Sequence, residues 1–115
     1  MLGIKDQYPK MKTELEKGDL VELVLHSGAT SVNRGHLEGY SFNQTGFKDE
    51  GSRFTGYIFE IDQTKITLSM GIDRENKMIP AVNGNKFMYF DLEAIHSYSL
   101  LKMKNKIYTE YDIGD

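Results

Sequence analysis

The alternation of apolar and polar side chains is clearest at residues 54–70, FTGYIFEIDQTKITLSM. In the second half, apolar residues at 66, 68 and 70 alternate with polar ones, which is the period of a strand with one buried face. The first half is apolar on both faces, and a strand accommodates this pattern when it bends. Gly56 lies inside it and is the expected site of the bend. The segment predicts two antiparallel strands joined by the polar turn at 62–65.

Three further segments have the pattern of strands. They lie at 19–26, 86–90 and 95–101, where apolar residues alternate with polar ones or form a short run bounded by turn residues. Together with the two central strands they make five. Five strongly bent antiparallel strands in so short a chain predict a small barrel, because few other architectures bury these patterns.

The segments outside these strands complete the predicted domain. Residues 8–17 suit a short helix that must dock on the sheet, because so short a helix is unstable alone. Residues 27–53 are a polar, glycine-rich insertion after the first strand, which predicts an inserted hairpin or loop. Residues 102–115 form a C-terminal tail that begins KMKNK and ends in acidic residues. A single domain over 1–115 is expected.

Composition narrows the class of protein. Hydrophobic residues are 39% of the 115 and charged residues 27%, which is typical of a globular domain rather than a disordered or membrane protein. The sequence has no long apolar run and no apolar signal core, so we expect a soluble intracellular, cytoplasmic protein. Without cysteine there is no disulfide, thiolate metal site or cysteine nucleophile. A net charge of −3 argues against coating duplex nucleic acid, but it allows a local basic surface.

Four short motifs occur in a characteristic order. They are Leu25-His26-Ser27-Gly28, Gly56-Tyr57-Ile58-Phe59-Glu60-Ile61-Asp62, Lys65-Ile66-Thr67-Leu68 and FDLEAIHSY at 90–98. In order and spacing they resemble the Sm-like family of ring-forming RNA-binding proteins, which includes the Sm, like-Sm and Hfq groups. The resemblance implies an SH3-like or Sm-like barrel of five strands with a short N-terminal helix. It also implies a homomeric ring of about five to seven copies that binds single-stranded RNA or DNA.

The chain departs from the family pattern in three places. The family's turn between its first two strands is short, whereas here it is the insertion at 27–53. The turn after Asp62 has no asparagine to contact a base. Asp91 and Glu93 lie where the family has an Arg-Gly or Lys-His pair, so carboxylates replace a cation.

Two surfaces are candidates for binding single-stranded nucleic acid. The first, implied by the resemblance, comprises the turn after Asp62 and the segment before the last strand. The second is the row of alternating lysines in KMKNK, close to a tyrosine that can stack on a base. The alternative interpretations are ordinary turn residues and a solvated edge that discourages aggregation. The candidate residues are Gln63, Thr64, Lys65, Asp91, Leu92, Tyr98, Lys102, Lys104 and Lys106.

The edges of the predicted barrel are candidates for self-assembly. An open five-stranded barrel leaves its fourth and fifth strands as edges, and unpaired edges are either protected or used. Neither predicted edge strand carries a proline, and head-to-tail pairing of such edges closes into a ring. The candidate edge residues are Phe87, Met88, Tyr89, Phe90, Ile95, Tyr98 and Leu100.

The leading hypothesis is a ring-forming, non-catalytic protein that acts in RNA or DNA processing. It binds single-stranded nucleic acid, with RNA as the favoured ligand. The alternative is a structural or adaptor ring that binds protein partners through the insertion at 27–53, which the acidic balance favours. The three histidines lack metal-ligand spacing, and no glycine-rich segment has the spacing of a phosphate loop. We therefore expect no metal, no cofactor and no catalytic residue.

Overall fold

A computed structural model describes residues 14–42 and 49–102, with only the backbone of Lys102. The described chain is mainly β, as predicted. Its strands are β1 (Leu20–His26), β2 (Ala29–Arg34), β3 (Leu37–Phe42), β4 (Glu50–Ile61), β5 (Lys65–Ile72), β6 (Met78–Pro80), β7 (Lys86–Asp91) and β8 (Ile95–Lys102). A 3₁₀ turn, Leu92–Ala94, joins β7 to β8.

The strands form one open sheet in the order β2-β3-β7-β5-β4-β1-β8, and β6 pairs with β5 off this path. Neighbouring strands are antiparallel except β3 and β7, which are parallel. All five predicted strands are present, as β1, β4, β5, β7 and β8. The predicted five-stranded barrel is nevertheless wrong. Three further strands are present, and among the described residues no ladder joins the two ends of the sheet.

The open sheet curls strongly around its apolar face. In a flat sheet, side chains three strands apart would be separated by about 14 Å. Tyr40 on β3 and Phe54 on β4 are three strands apart, yet their ring centroids are only 5.0 Å from each other. Phe90 on β7 lies against both rings, at 5.8 Å and 5.2 Å. The curl allows one sheet to enclose one core, whose buried members include Val21, Leu23, Leu25, Ile58, Ile66, Leu68, Met70, Phe90, Leu92 and Ile95.

Strand β4 changes its partner at Gly56, where the sequence predicts a bend. The part of β4 up to Tyr57 pairs with β1, and the part from Tyr57 onward pairs with β5, so the two ladders meet next to Gly56. Gly56 is buried, and a Cβ atom there would lie 3.0 Å from the Cβ of Leu68. Glycine therefore allows the Leu68 side chain to pack directly on the β4 backbone.

The insertion after β1 forms the hairpin β2–β3, one of the two predicted alternatives. Its tip is a two-residue turn between Arg34 and Leu37, and Gly35 has a φ of 66°. Glycine adopts this left-handed conformation at little steric cost. The strand β3 then lies along β7 with Glu38 beside Met88, so the tip of the hairpin lies toward the start of β7 and the Arg34 side chain reaches along the sheet to Asp91.

The predicted helix at 8–17 falls mostly outside the described residues. Glu14 has helical backbone, but the chain is irregular from Leu15, so the predicted end at residue 17 is wrong. Here the Asp19 carboxylate accepts a hydrogen bond from the Glu16 N–H at 2.9 Å and stabilises a turn before β1. The tail beyond Lys102 also lies outside the described residues. No helix in the described ranges has the length and apolar character needed to cross a membrane.

Candidate nucleic-acid interface

The turn between β4 and β5 is built around the carboxylate of Asp62. Its Oδ1 atom accepts hydrogen bonds from the backbone N–H groups of Thr64, at 2.8 Å, and Lys65, at 2.9 Å. The Thr64 hydroxyl donates to the same oxygen at 2.9 Å. The Oδ2 atom accepts from Lys65 Nζ, also at 2.9 Å. An aspartate here satisfies backbone donors that the strands leave unpaired, so it holds the turn and the Lys65 ammonium in one arrangement.

The charges of this pair are stabilised by the same contacts. Burial raises the pKa of Asp62, but hydrogen bonds from Lys65 and Thr64 outweigh it and hold that pKa well below its usual range. The hydrogen bond to Asp62 raises the pKa of Lys65. Both groups are therefore ionised at neutral pH.

The Asp62→Asn variant is expected to lower the free energy of unfolding by about 1 kcal/mol at pH 7, because the 39% exposed carboxylate is partly screened. The folded-state pKa is depressed, so this contribution is complete above the unfolded pKa of about 4 and declines as pH falls toward the folded pKa. Urea unfolding at pH 7 and pH 3 measures it. A difference between variant and wild type that does not shrink at pH 3 would contradict this role of Asp62.

The segment between β7 and β8 lies beside this turn. The Leu92 N–H donates to the Thr64 carbonyl oxygen at 2.8 Å, and Asp91 is the ladder partner of Lys65. The structure thus brings together four of the predicted site residues: Thr64, Lys65, Asp91 and Leu92. The Leu92 side chain is fully buried in the core, so it contributes packing and a backbone contact rather than accessible surface. Gln63 is exposed in the same turn.

Arg34 adds a second cation that the sequence interpretation missed. Its Nη2 atom lies 3.3 Å from Asp91 Oδ2, and its guanidinium carbon lies 5.0 Å from the centroid of the Tyr89 ring. The Arg34 side chain is still 61% exposed, so a ligand can reach it. The only sequence signal was an arginine next to Gly35 in a segment whose path was not predicted.

The hairpin that carries Arg34 approaches β7 most closely at Gly39. A Cβ atom at Gly39 would lie 2.3 Å from the Tyr89 carbonyl oxygen and 2.6 Å from its ring. Tyr89 is itself buried. Glycine is therefore required at residue 39 for the hairpin to dock, and docking places Arg34 beside Asp91.

Tyr98 is not part of this arrangement. The Tyr98 hydroxyl donates to Glu14 Oε1 at 2.8 Å, and its partly buried ring packs on the core. Burial and this hydrogen bond raise the pKa of Tyr98 to about 12. Tyr98 therefore stabilises the contact with the N-terminal segment rather than offering a free ring for stacking. Of the lysine row, β8 includes the backbone of Lys102, whereas Lys104 and Lys106 lie outside the described residues.

The predicted assembly edges are placed differently from expectation. Strand β7 is not an edge, because β5 pairs with one side of it and residues 38–40 of β3 pair with 88–90 on the other. Met88, Tyr89 and Phe90 are buried within one copy, so their predicted role at an edge is wrong. Phe87 contacts Phe59 of β4 at 4.7 Å between ring centroids.

Strand β8 does lie at the end of the sheet, as predicted for an edge. It pairs with β1, and no other described strand pairs with it. Ile95 is only 1% exposed, so its predicted contribution to an edge surface is wrong, whereas Leu100 is 36% exposed.

The described residues show no group of three or more His, Asp or Glu side chains that could hold a metal ion. Two histidines do approach each other: the ring centroids of His26 and His96 are 5.3 Å apart, and Phe42 lies 4.7 Å from His26.

Comparison of this chain with protein-family models, with curated proteins and with solved structures finds no match. The resemblance to the Sm-like family accordingly stays a prediction that depends on the order of the sequence motifs.

Proposed function

We propose that this chain is a non-catalytic protein that binds single-stranded nucleic acid, with RNA as the favoured ligand. The proposed binding surface is formed by Arg34, Thr64, Lys65 and Asp91. One observation carries the proposal. The Leu92–Thr64 hydrogen bond joins the two segments that the resemblance implicates, and Arg34 from the hairpin adds a cation beside them. Arginine and lysine bind phosphate, and the exposed Gln63 amide can both donate to and accept from a base edge.

The two aspartates determine how such binding works. Asp62 holds Lys65 and Asp91 holds Arg34, so each cation is preorganised and also partly neutralised. Arginine carries five N–H donors, so Arg34 can keep its contact with Asp91 and still donate to a phosphate oxygen. We therefore expect micromolar affinity with a modest dependence on salt, rather than the steep dependence of a strongly basic protein.

Fluorescence anisotropy with labelled oligo-U and oligo-A at low salt tests the proposal. We expect Lys65→Ala and Arg34→Ala each to weaken binding by about three- to tenfold and to reduce the slope of log affinity against log salt by about 0.7, the loss of one phosphate contact. Lys77→Ala is the matched control. Lys77 is also paired with an acidic neighbour, Glu75, but it lies beyond the far end of β5 and should have no effect.

Two outcomes would count against the proposal in different ways. Absence of binding by micromolar protein would overturn the function itself. Binding that Lys77→Ala weakens as much as Lys65→Ala would place the nucleic acid elsewhere on the surface.

A second candidate function is that of an adaptor that binds protein partners through the hairpin. The observation that favours it is the outer side of β2, where no described strand pairs and where Thr30, Ser31 and Asn33 are exposed. Such an edge can take up an extended segment of a partner by adding a strand.

The adaptor function is tested by proline substitution along β2. Successive residues direct their N–H groups to opposite sides, so either Thr30→Pro or Ser31→Pro removes only an outward N–H. The adaptor function is favoured if a protein partner still co-purifies after nuclease treatment and no longer co-purifies with one of these two variants.

A further inference from the structure

We infer that the free edge of β8 is a dimer interface, which pairs antiparallel with β8 of a second copy about a two-fold axis. In the described sheet β8 pairs with β1 alone. No described strand occupies the backbone donors and acceptors on its other side, where a second ladder can form. This inference does not depend on nucleic-acid binding.

The composition of β8 suits pairing with another chain. From Ile95 to Leu101 the strand has no proline and no lysine, arginine or carboxylate, the residues that protect an edge. Leu100 and Leu101 are 36% and 50% exposed. Because the strand has none of these charges, pairing with itself opposes no fixed like charges.

The opposite end of the sheet differs, and the difference decides between a dimer and a ring. A head-to-tail ring needs a second, complementary edge, and β3 already covers β7. Strand β6, which pairs with β5 alone, is only three residues long and includes a proline. The other end strand, β2, exposes polar residues and ends at Arg34. An apolar edge gains more from an identical apolar edge than from a polar one, and a contact between identical edges closes at two copies.

The ladder geometry indicates where the two-fold axis passes. Opposed residues in an antiparallel pair have side chains on the same face of the sheet. In a two-fold pair this requires one residue to lie opposite the same residue of the second copy, and the axis passes between the two. The register shifts in the β1–β8 ladder leave 97–100 as its regular stretch. An axis at Ser99 places Leu100 opposite Tyr98 of the second copy. Both residues lie on the face of the buried Val21 and Leu23, so this register extends the apolar face across the dimer.

Sedimentation velocity over a concentration series, without nucleic acid, tests the inference. Wild-type protein is expected to be a dimer with micromolar affinity, as a short ladder implies. Ser99→Lys and Ser99→Glu should each raise the dissociation constant by about fivefold or more, since like charges meet at the axis. An equal mixture of the two variants should restore the dimer, because opposite charges then meet there. Ser31→Lys, on the β2 edge, is the control that should leave the dimer unchanged.

The mixture of Ser99→Lys and Ser99→Glu distinguishes a two-fold interface from a head-to-tail interface. Residue 99 opposes itself only across a two-fold axis, so failure of the mixture to restore association would overturn the inference. A wild-type monomer at the highest soluble concentration would also overturn it, as would a larger ring. If the full chain is a monomer and dimerises only after deletion of 103–115, the inference is also overturned, because the chain's own tail then occupies the β8 edge. Circular dichroism of both variants shows whether they remain folded, and Ser99→Lys is the milder of the two because Ser99 pairs with Glu22.

Discussion

Phe90→Ala is expected to lower the free energy of unfolding by about 3–5 kcal/mol, the usual cost of deleting a fully buried phenylalanine. Phe90 lies where the curled sheet meets itself, and its ring contacts both Tyr40 from β3 and Phe54 from β4, which also contact each other. Its removal leaves a cavity between β7 and β4, which hydrogen bonds do not join directly, so backbone pairing cannot close the gap. Urea unfolding at neutral pH, followed by far-UV circular dichroism, measures the loss.

Phe59→Ala is the matched control for this deletion. The Phe59 side chain is 41% exposed and contacts Phe87 and Lys17 on the surface, so its loss should cost only about 1 kcal/mol. If Phe90→Ala proves too unstable to purify, Ile66→Val at another fully buried position should cost about 1 kcal/mol. Equal costs for Phe90→Ala and Phe59→Ala would contradict a core centred on the rings of Tyr40, Phe54 and Phe90.

The parts of this fold that the sequence predicts are those with local causes. The alternation from Ile66 to Met70 identifies β5, because every second side chain of that strand joins the hydrophobic core. The predicted single buried face is wrong, since Thr67 and Ser69 on the other face are buried too. Asp62 identifies its turn, because the atoms it binds belong to residues two and three positions further along the chain. Local patterns of this kind need no knowledge of the rest of the molecule.

The parts that it does not predict depend on distant contacts. The sequence interpretation made residues 86–90 an edge strand that pairs with neighbouring copies in a ring. In the structure the pairing strand comes from the same chain, because Gly39 allows β3 to lie along Tyr89. No local period shows this parallel pairing, and strand β6, only three residues long, is too short to have one.

The residues of the candidate site also differ in whether the sequence could predict them. The local pattern predicted the turn that holds Thr64 and Lys65, and the resemblance made these two residues and Asp91 candidates for the site. Arg34 was missed because its partner Asp91 is 57 residues away, and the contact exists only when the hairpin is docked. Arg34 of the insertion thus places a cation beside Asp91.

The second large effect is expected from Gly39→Ala, which should lower the free energy of unfolding by about 2–3 kcal/mol. The added methyl group would lie 2.3 Å from the Tyr89 carbonyl oxygen, and a backbone atom cannot move aside as a flexible side chain can. Strand β3 must therefore separate from β7, and Arg34 with it from Asp91. Urea unfolding measures the loss, and faster hydrogen exchange at residues 38–40 would locate it.

Gly35→Asn, in the same hairpin, separates loss of docking from a general effect of replacing glycine. Gly35 has a φ of 66°, which asparagine tolerates, and nothing lies within 4 Å of a Cβ atom there, so a change below about 1 kcal/mol is expected. If Gly35→Asn destabilises the protein as much as Gly39→Ala, close packing on Tyr89 is not what holds the hairpin. If instead Gly39→Ala alone is destabilising and weakens oligonucleotide binding as much as Arg34→Ala, the docked hairpin is what supplies the second cation to the site.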